Sequence, residues 1–199
     1  MVGYQTKDTV AGFNFIAPTF ENVTTSGVDI QDIKLVGDAT EYSDSIQILD
    51  DGGATTETYL WTADGWIDLN TFEAANKSLN AGSSVLIDTA NAIKVTMSGK
   101  VGTESYDTTS VAGFNFVGNT TPVAIDIQSI KLEGDATEYS DSIQVLDEGG
   151  ATVETYLWTA TGWIDMNTFE DAAKTIDAGQ GLLIDTANAG VKISFPSAL

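Results

Sequence analysis

The chain of 199 residues is strongly acidic, with 29 Asp and Glu against 8 Lys and Arg and a formal charge of −21. A surface of this charge repels phosphate, so we expect no binding to nucleic acid or to an anionic membrane. No apolar run approaches the ~20 residues that cross a bilayer, so membrane insertion is not expected either. Because His and Cys are absent, Ser-His-Asp and Cys-His catalysis, disulfides and the usual zinc and haem sites are excluded.

The length suits one large domain or two of about 100 residues, and an internal duplication favours two. The segment Gly37–Gln47 recurs without a change as Gly134–Gln144. Residues 31–92 align with residues 128–189 without a gap and are identical at roughly three positions in four. We therefore predict two homologous β repeats related by a pseudo-two-fold axis. The predicted repeats are residues 1–100 (the first half) and 101–199 (the second half), joined through a polar segment after Lys100.

The apolar pattern indicates an all-β chain. Apolar and polar residues alternate with a period of two along residues 28–35 and 45–48, which is typical of half-buried strands. Two aromatic-rich runs around Ala63-Asp64-Gly65 have the pattern of a hairpin. About seven short strands per half, separated by Gly and Asp turns such as residues 50–53 and 147–150, predict a small β-sandwich or β-barrel for each repeat.

Two features of this prediction concern local structure. Asn70–Glu73 and Asn167–Glu170 have the Asn-x-x-Glu spacing of a capping box, so a helix of one or two turns could start at each. The four residues by which the first half is longer fall within residues 17–27, which predicts a surface loop. The predicted core comprises Phe13, Phe15, Ile46, Ile48 and Leu86 with their counterparts Phe114, Phe116, Ile143, Val145 and Leu183.

Three carboxylates recur at intervals of three residues in a turn-rich segment. Clusters of oxygen ligands suit Ca²⁺, although the spacing does not match an EF-hand loop. The alternative is a solvated acidic loop in a protein that is acidic throughout. If calcium binds, we expect a structural role without catalysis, and no other cofactor is expected. The candidate metal ligands are Asp38, Glu41 and Asp44 in the first half, and Asp135, Glu138 and Asp141 in the second.

The aromatic residues also allow two interpretations. If Trp66 and Trp163 are exposed, their rings can stack on sugars, and they are then candidate glycan-binding residues. If they are buried, they are core, since large aromatic side chains dominate packing. A glycosidase would need paired carboxylates such as Asp64 and Asp68, but Asp is so frequent in this chain that the pairing has almost no specificity.

Four segments carry a resemblance to a known family: Val2–Lys7, Ala11–Phe15, Gly113–Val123 and Ala178–Gly181. Through them the chain resembles, over nearly its whole length, a family of uncharacterised secreted proteins with two such all-β repeats, met chiefly in bacteria of the Verrucomicrobia and Lentisphaerae group. It implies a leader peptide that ends before Val2, with Met1 an added start, and therefore an extracellular or cell-surface location. The resemblance implies no activity and no site residues.

Three functions follow as hypotheses. The first is a non-enzymatic cell-surface or extracellular matrix protein that acts through assembly or adhesion, because two similar repeats present similar faces twice. Its partners would be further copies of itself, or a glycan or protein of a cell surface. The second is a carbohydrate-binding module that uses exposed Trp or Tyr. The third, a hydrolase, requires a cleft with paired carboxylates.

Overall fold

The computed structural model describes residues 2–20, 27–50, 52–79, 82–102, 105–147 and 151–197. The predicted turns at 50–53 and 147–150 and the predicted loop at 17–27 lie partly outside these residues. The strands of the first half are β1 (Val2–Asp8), β2 (Gly12–Ile16), β3 (Val28–Asp29), β4 (Ile33–Val36), β5 (Ser45–Leu49), β6 (Thr55–Thr62), β7 (Gly65–Asp68), β8 (Ser78–Leu79), β9 (Val85–Thr89) and β10 (Lys94–Lys100).

The second half has strands at the corresponding positions of its sequence. They are β11 (Tyr106–Thr109), β12 (Gly113–Gly118), β13 (Ile125–Asp126), β14 (Lys131–Glu133), β15 (Ser142–Leu146), β16 (Thr152–Thr159), β17 (Gly162–Asp165), β18 (Thr175–Ile176), β19 (Gly181–Thr186) and β20 (Lys192–Phe195).

The prediction of an all-β chain is confirmed. In the first half, strands pair antiparallel in a three-stranded sheet of order β1-β10-β4, a five-stranded sheet of order β2-β9-β5-β6-β7, and the pair β3-β8. The second half has sheets of order β11-β20-β14, β12-β19-β15-β16-β17 and β13-β18. The register shifts at the same place in each five-stranded sheet, between Ile48 and Leu49 and between Val145 and Leu146.

Each half has its own buried cluster of apolar side chains, one within residues 16–101 and the other within residues 117–195. In the first half, Val95 and Met97 of the three-stranded sheet share a cluster with Ile46 and Ile87 of the five-stranded sheet. The alternation along these strands sends one side chain in two to the cluster, which is why the period-two pattern is visible in the sequence. The domain boundary at residues 100 and 101 stays a prediction.

The prediction of core residues is wrong for two phenylalanines. Phe13 and Phe114 are 40% and 39% exposed. In β2, the residue that turns inward next to Ile16 is Asn14, whose side-chain amide donates to the carbonyls of Val10 and Gly12, each at 2.9 Å. A polar residue thus occupies the inward position because its hydrogen bonds are satisfied there, and the neighbouring phenylalanine faces outward.

The two halves meet at the outer faces of their five-stranded sheets. The rings of Phe15 and Phe116 stack with centroids 6.0 Å apart and planes within 11°. Both rings are half-buried, and the residues opposite them in the register, Leu86 and Leu183, are buried outside the two core clusters. Isolated bridges join Ile16 to Gln180 and Ser83 to Val117 across this contact.

The remaining predicted core residues Ile46, Ile143 and Val145 are buried, and Ile48 is partly buried against the first cluster.

No helix starts at Asn70 or Asn167, where the sequence allowed one. The Asp68 carboxylate accepts hydrogen bonds from the backbone amides of Asn70 and Thr71, at 2.7 and 3.1 Å, and closes a single turn instead. The helical residues of the described chain are the 3₁₀ turns Ile30–Asp32 and Ile127–Ser129. Within the described ranges, no helix has the length and apolarity needed to cross a membrane.

The burial of these side chains predicts the cost of truncating them. Ile143→Ala should lower the free energy of unfolding by about 2 to 5 kcal/mol because it opens a cavity in a closed core. Phe114→Ala should cost clearly less, since this ring is exposed. Urea unfolding of both variants measures the difference, and an equal or larger loss for Phe114→Ala would contradict the orientation of β12.

Candidate functional site

The tryptophans proposed for glycan binding are buried. The indole N–H of Trp66 donates to the carbonyl of Ile33 at 2.6 Å, and that of Trp163 donates to the carbonyl of Ile130 at 2.8 Å. Each indole also contacts a half-buried tryptophan edge to face, with ring centroids 5.1 Å apart in the first half and 5.0 Å in the second. Neither ring offers a face for a ligand, so the prediction of a glycan site at these residues is wrong and the core interpretation holds.

One carboxylate of each predicted metal triad is buried in backbone hydrogen bonds. Asp44 accepts from the amide of Thr40 at its Oδ2 and from the amide of Ala90 at its Oδ1, both at 2.8 Å. These bonds tie the turn before β5 to the segment after β9. The corresponding bonds in the second half join Asp141 to the amides of Thr137 and Ala187, at 2.9 and 2.8 Å.

The other four residues of the predicted triads are exposed, and the structure does not gather them around the buried carboxylate. No group of three His, Cys, Asp or Glu residues that could hold a metal ion occurs in the described part of the chain. The exposed residues are Asp38, Glu41, Asp135 and Glu138.

An ion pair links β6 to the segment before β8. The Lys77 ammonium lies 2.6 Å from Glu57, and this hydrogen bond holds the pKa of the Glu57 carboxyl below its usual range. The Tyr59 hydroxyl also donates to Glu57. In the second half, burial and then the hydrogen bond to Glu154 raise the pKa of Tyr156 to about 12. Phenols in this environment stay protonated, which suits a structural role.

Four exposed aromatic residues stand out that the sequence did not single out. Each is between 60% and 65% exposed, and each has a φ near 60°, in the left-handed region that bulky side chains rarely adopt. Such backbone conformations cost about 1 to 3 kcal/mol and concentrate at binding sites. The only sequence signal was a lone aromatic within a polar turn segment. These residues are Tyr42 and Phe72 in the first half and Tyr139 and Phe169 in the second.

The buried aspartate of each half fixes the turn that carries the exposed tyrosine. Tyr42 lies between Thr40 and Asp44, and its amide donates to the carbonyl of Trp61 at 2.9 Å. The amide of Trp61 in turn donates to the carbonyl of Asp44, at 2.9 Å. Tyr139 is held in the same way, since its amide donates to the carbonyl of Trp158 at 2.9 Å.

The exposed phenylalanines follow the hairpin strand and are held by a second aspartate. The amide of Phe72 donates to the carbonyl of Asp68 at 2.8 Å, and the amide of Asp68 donates to the carbonyl of Glu73 at 2.9 Å. Phe169 makes the corresponding bond to Asp165, at 2.8 Å. A closed loop of hydrogen bonds therefore holds each ring outside the β-sheet.

In the second half, Tyr139 and Phe169 line one groove of about 370 Å³. Glu138, Asp171 and Thr161 also line this groove. The Thr161 hydroxyl lies 3.1 Å from that of Thr159, which is itself bonded to the carbonyl of Gly162 at 2.7 Å. The groove, which we call the aromatic groove, thus combines two apolar ring faces with carboxylate and hydroxyl groups.

Of the eight residues that line the aromatic groove, two have different counterparts in the first half. Asp64 stands where the second half has Thr161, and Ala74 stands where it has Asp171. Besides the shared Glu41 and Glu138, each half therefore has one further carboxylate, and it stands at a different sequence position in each. The same pair of aromatic residues thus has different polar neighbours in the two halves of the sequence.

Comparisons with known proteins place no constraint on this chain. No family model matches it, and neither a curated protein nor a solved structure gives a match.

The bonds of Asp141 generate a prediction that separates the buried carboxylate from its exposed neighbours. Asp141→Ala should lower the free energy of unfolding by about 3 kcal/mol, because it leaves two partly buried backbone amides without their acceptor. Asp135→Ala removes an exposed carboxylate from the same segment and should have little effect. Urea unfolding of both variants provides the comparison, and equal losses would rule out the structural role of Asp141.

Proposed function

We propose that the chain is a non-enzymatic glycan-binding protein that acts in adhesion at a cell surface, with one aromatic binding site in each half. The observation that carries this proposal is the pair of exposed aromatic residues that recurs in both halves on a left-handed backbone. A large exposed aromatic ring loses favourable apolar burial, and such exposed rings mark interaction surfaces when they cluster.

The surroundings of the rings favour a neutral glycan as the ligand. A sugar presents an apolar face of C–H groups, which stacks on an aromatic ring, and hydroxyls that donate to carboxylates and accept from hydroxyls. The aromatic groove offers both kinds of group, through Tyr139 and Phe169 and through Glu138 and Asp171. Because the chain carries a formal charge of −21, acidic glycans would be repelled.

The finer architecture is part of the same proposal. We take the two halves as homologous β-sandwich repeats related by a pseudo-two-fold axis. The supports are the identical strand order of the two five-stranded sheets and the matching bonds of Asp44 and Asp141. A duplicated chain with one site per half can bind two segments of a glycan, and linked sites raise avidity well above the affinity of either site.

A binding role without catalysis fits the composition. The chain has no His or Cys, and its buried carboxylates accept hydrogen bonds from backbone amides that hold the turns. An extracellular or cell-surface location agrees with the acidic surface and with the resemblance to secreted two-repeat proteins. Glycans of a neighbouring cell or matrix are then the proposed partners, and self-association is the second proposed route to adhesion.

Affinity electrophoresis tests the proposal with neutral and acidic polysaccharides. The wild-type chain should be retarded by at least one of xylan, mannan, β-glucan or galactan, and not by polygalacturonate. Phe169→Ala and Tyr139→Ala should each weaken binding by about 3- to 10-fold, the loss of one ring stacking contact.

The chain offers a matched control in Phe114→Ala, which removes an exposed ring that is not part of the aromatic groove. This variant should bind like the wild type. Retardation by none of the neutral polysaccharides would refute the proposal, as would an equal loss of binding in Phe114→Ala and Phe169→Ala.

A further inference from the structure

A cleft of about 350 Å³ lies between the two halves, away from the exposed aromatic pairs. Its volume falls at the lower end of small-molecule sites, which span roughly 300 to 1,000 Å³. Both halves build it, since the amide of Ser84 donates to the carbonyl of Phe116 at 3.1 Å. We call it the central cleft. Six hydroxyl-bearing residues line it: Ser78, Ser83, Ser84, Tyr106, Thr108 and Thr109.

One of these hydroxyls is buried without a partner. Ser84 is 6% exposed, and its Oγ has no hydrogen bond to any described residue. A buried hydroxyl without a partner is costly, and the interior of a folded protein rarely retains one. Ser84 belongs to the wall of the central cleft, which makes its hydroxyl the candidate hydrogen-bond partner for a polar ligand bound there.

The two charged residues of the cleft wall are already engaged. Lys77 forms its ion pair with Glu57 at 2.6 Å. The Oδ1 atom of Asp50 accepts from the amides of Gly52 and Ala54, at 2.9 and 2.8 Å. The groups of the wall that we assign to a ligand are therefore the Ser84 hydroxyl and the rings of Tyr106 and Phe116, which suit an uncharged molecule.

The halves differ at several positions of this wall. A second cleft of about 260 Å³ is lined by Phe15, Asn14 and Asp147, whose sequence counterparts Phe116, Asn115 and Asp50 line the central cleft. Both clefts therefore have Asn, Phe and Asp at these three positions of their walls. At four of the wall positions that differ, the central cleft has a hydroxyl: Ser84, Ser83, Thr108 and Thr109 correspond in sequence to Gly181, Gln180, Lys7 and Asp8.

The central cleft thus has the hydroxyls of Thr108 and Thr109 where the second cleft has the charged Lys7 and Asp8, and the buried hydroxyl of Ser84 where it has Gly181. The Tyr106 ring is held close to the first half, because a Cβ at Gly82 would lie 1.6 Å from its Cε1 atom. Gly82 also has a φ of 83°, which a side chain would disfavour. The Tyr106 ring is therefore positioned by its packing against Gly82 of the first half.

We propose that the central cleft binds a neutral sugar of one or two residues, with the Ser84 hydroxyl as its buried hydrogen-bond partner. Sugar hydroxyls both donate and accept, as do the serine and threonine hydroxyls of the wall. The rings of Phe116 and Tyr106 provide apolar surface for the C–H face of the sugar. Binding would join the two halves through their shared wall.

Titration of the ¹⁵N-labelled chain with glucose, galactose, mannose, cellobiose, lactose and maltose tests this site. At least one sugar should cause saturable shifts at the amides of Ser84 and Phe116. Ser84→Ala should lower the affinity for that sugar by about 3- to 10-fold, the equivalent of one neutral hydrogen bond. The same variant should leave the unliganded chain as stable as the wild type or more stable, because it removes the unpartnered hydroxyl.

Ser98→Ala is the matched control, since Ser98 is an exposed serine of β10 outside the cleft. It should bind sugar like the wild type. The proposal is overturned if none of the sugars shifts the amides of Ser84 and Phe116, or if Ser84→Ala binds as tightly as the wild type. Shifts confined to Tyr139 and Phe169 would overturn it and leave the aromatic groove in place.

Discussion

The buried carboxylates of Asp44 and Asp141 are the interaction on which the surface of each half depends. In a chain of charge −21, a carboxylate placed inside the protein without a cation costs free energy unless hydrogen bonds replace its water. Two backbone amides do so in each half. In each half, one of these amides lies four residues before the aspartate and the other lies 46 residues after it. Each carboxylate therefore joins its own turn to a turn that is distant in the sequence.

This constraint explains how an aromatic residue can stay exposed on a strained backbone. The turns that carry Tyr42 and Tyr139 are closed by the buried aspartates, and the turns that carry Phe72 and Phe169 are closed by Asp68 and Asp165. A ring held in this way loses little conformational freedom when a ligand stacks on it, and such preorganisation raises affinity. The proposed binding function therefore follows from the turns, and the β-sheets serve as their scaffold.

The sequence could predict what depends on periodicity. Alternation along β4 and β5 predicted strands, and the duplicated segments predicted matching strand orders. It could not assign the two faces of β2, because Phe13, Asn14, Phe15 and Ile16 place apolar residues on both faces and only the amide bonds of Asn14 decide between them.

Exposure was equally invisible in the sequence, so buried Trp66 was a candidate site and exposed Tyr42 was not. A left-handed φ is expected at Gly or Asn and gives no signal at Tyr or Phe.

Backbone relaxation of the ¹⁵N-labelled chain tests the central claim most directly. The amides of Tyr42, Phe72, Tyr139 and Phe169 should have order parameters of about 0.85, like those of the strands. Values below about 0.6 at these amides would contradict turns held rigid by aspartate.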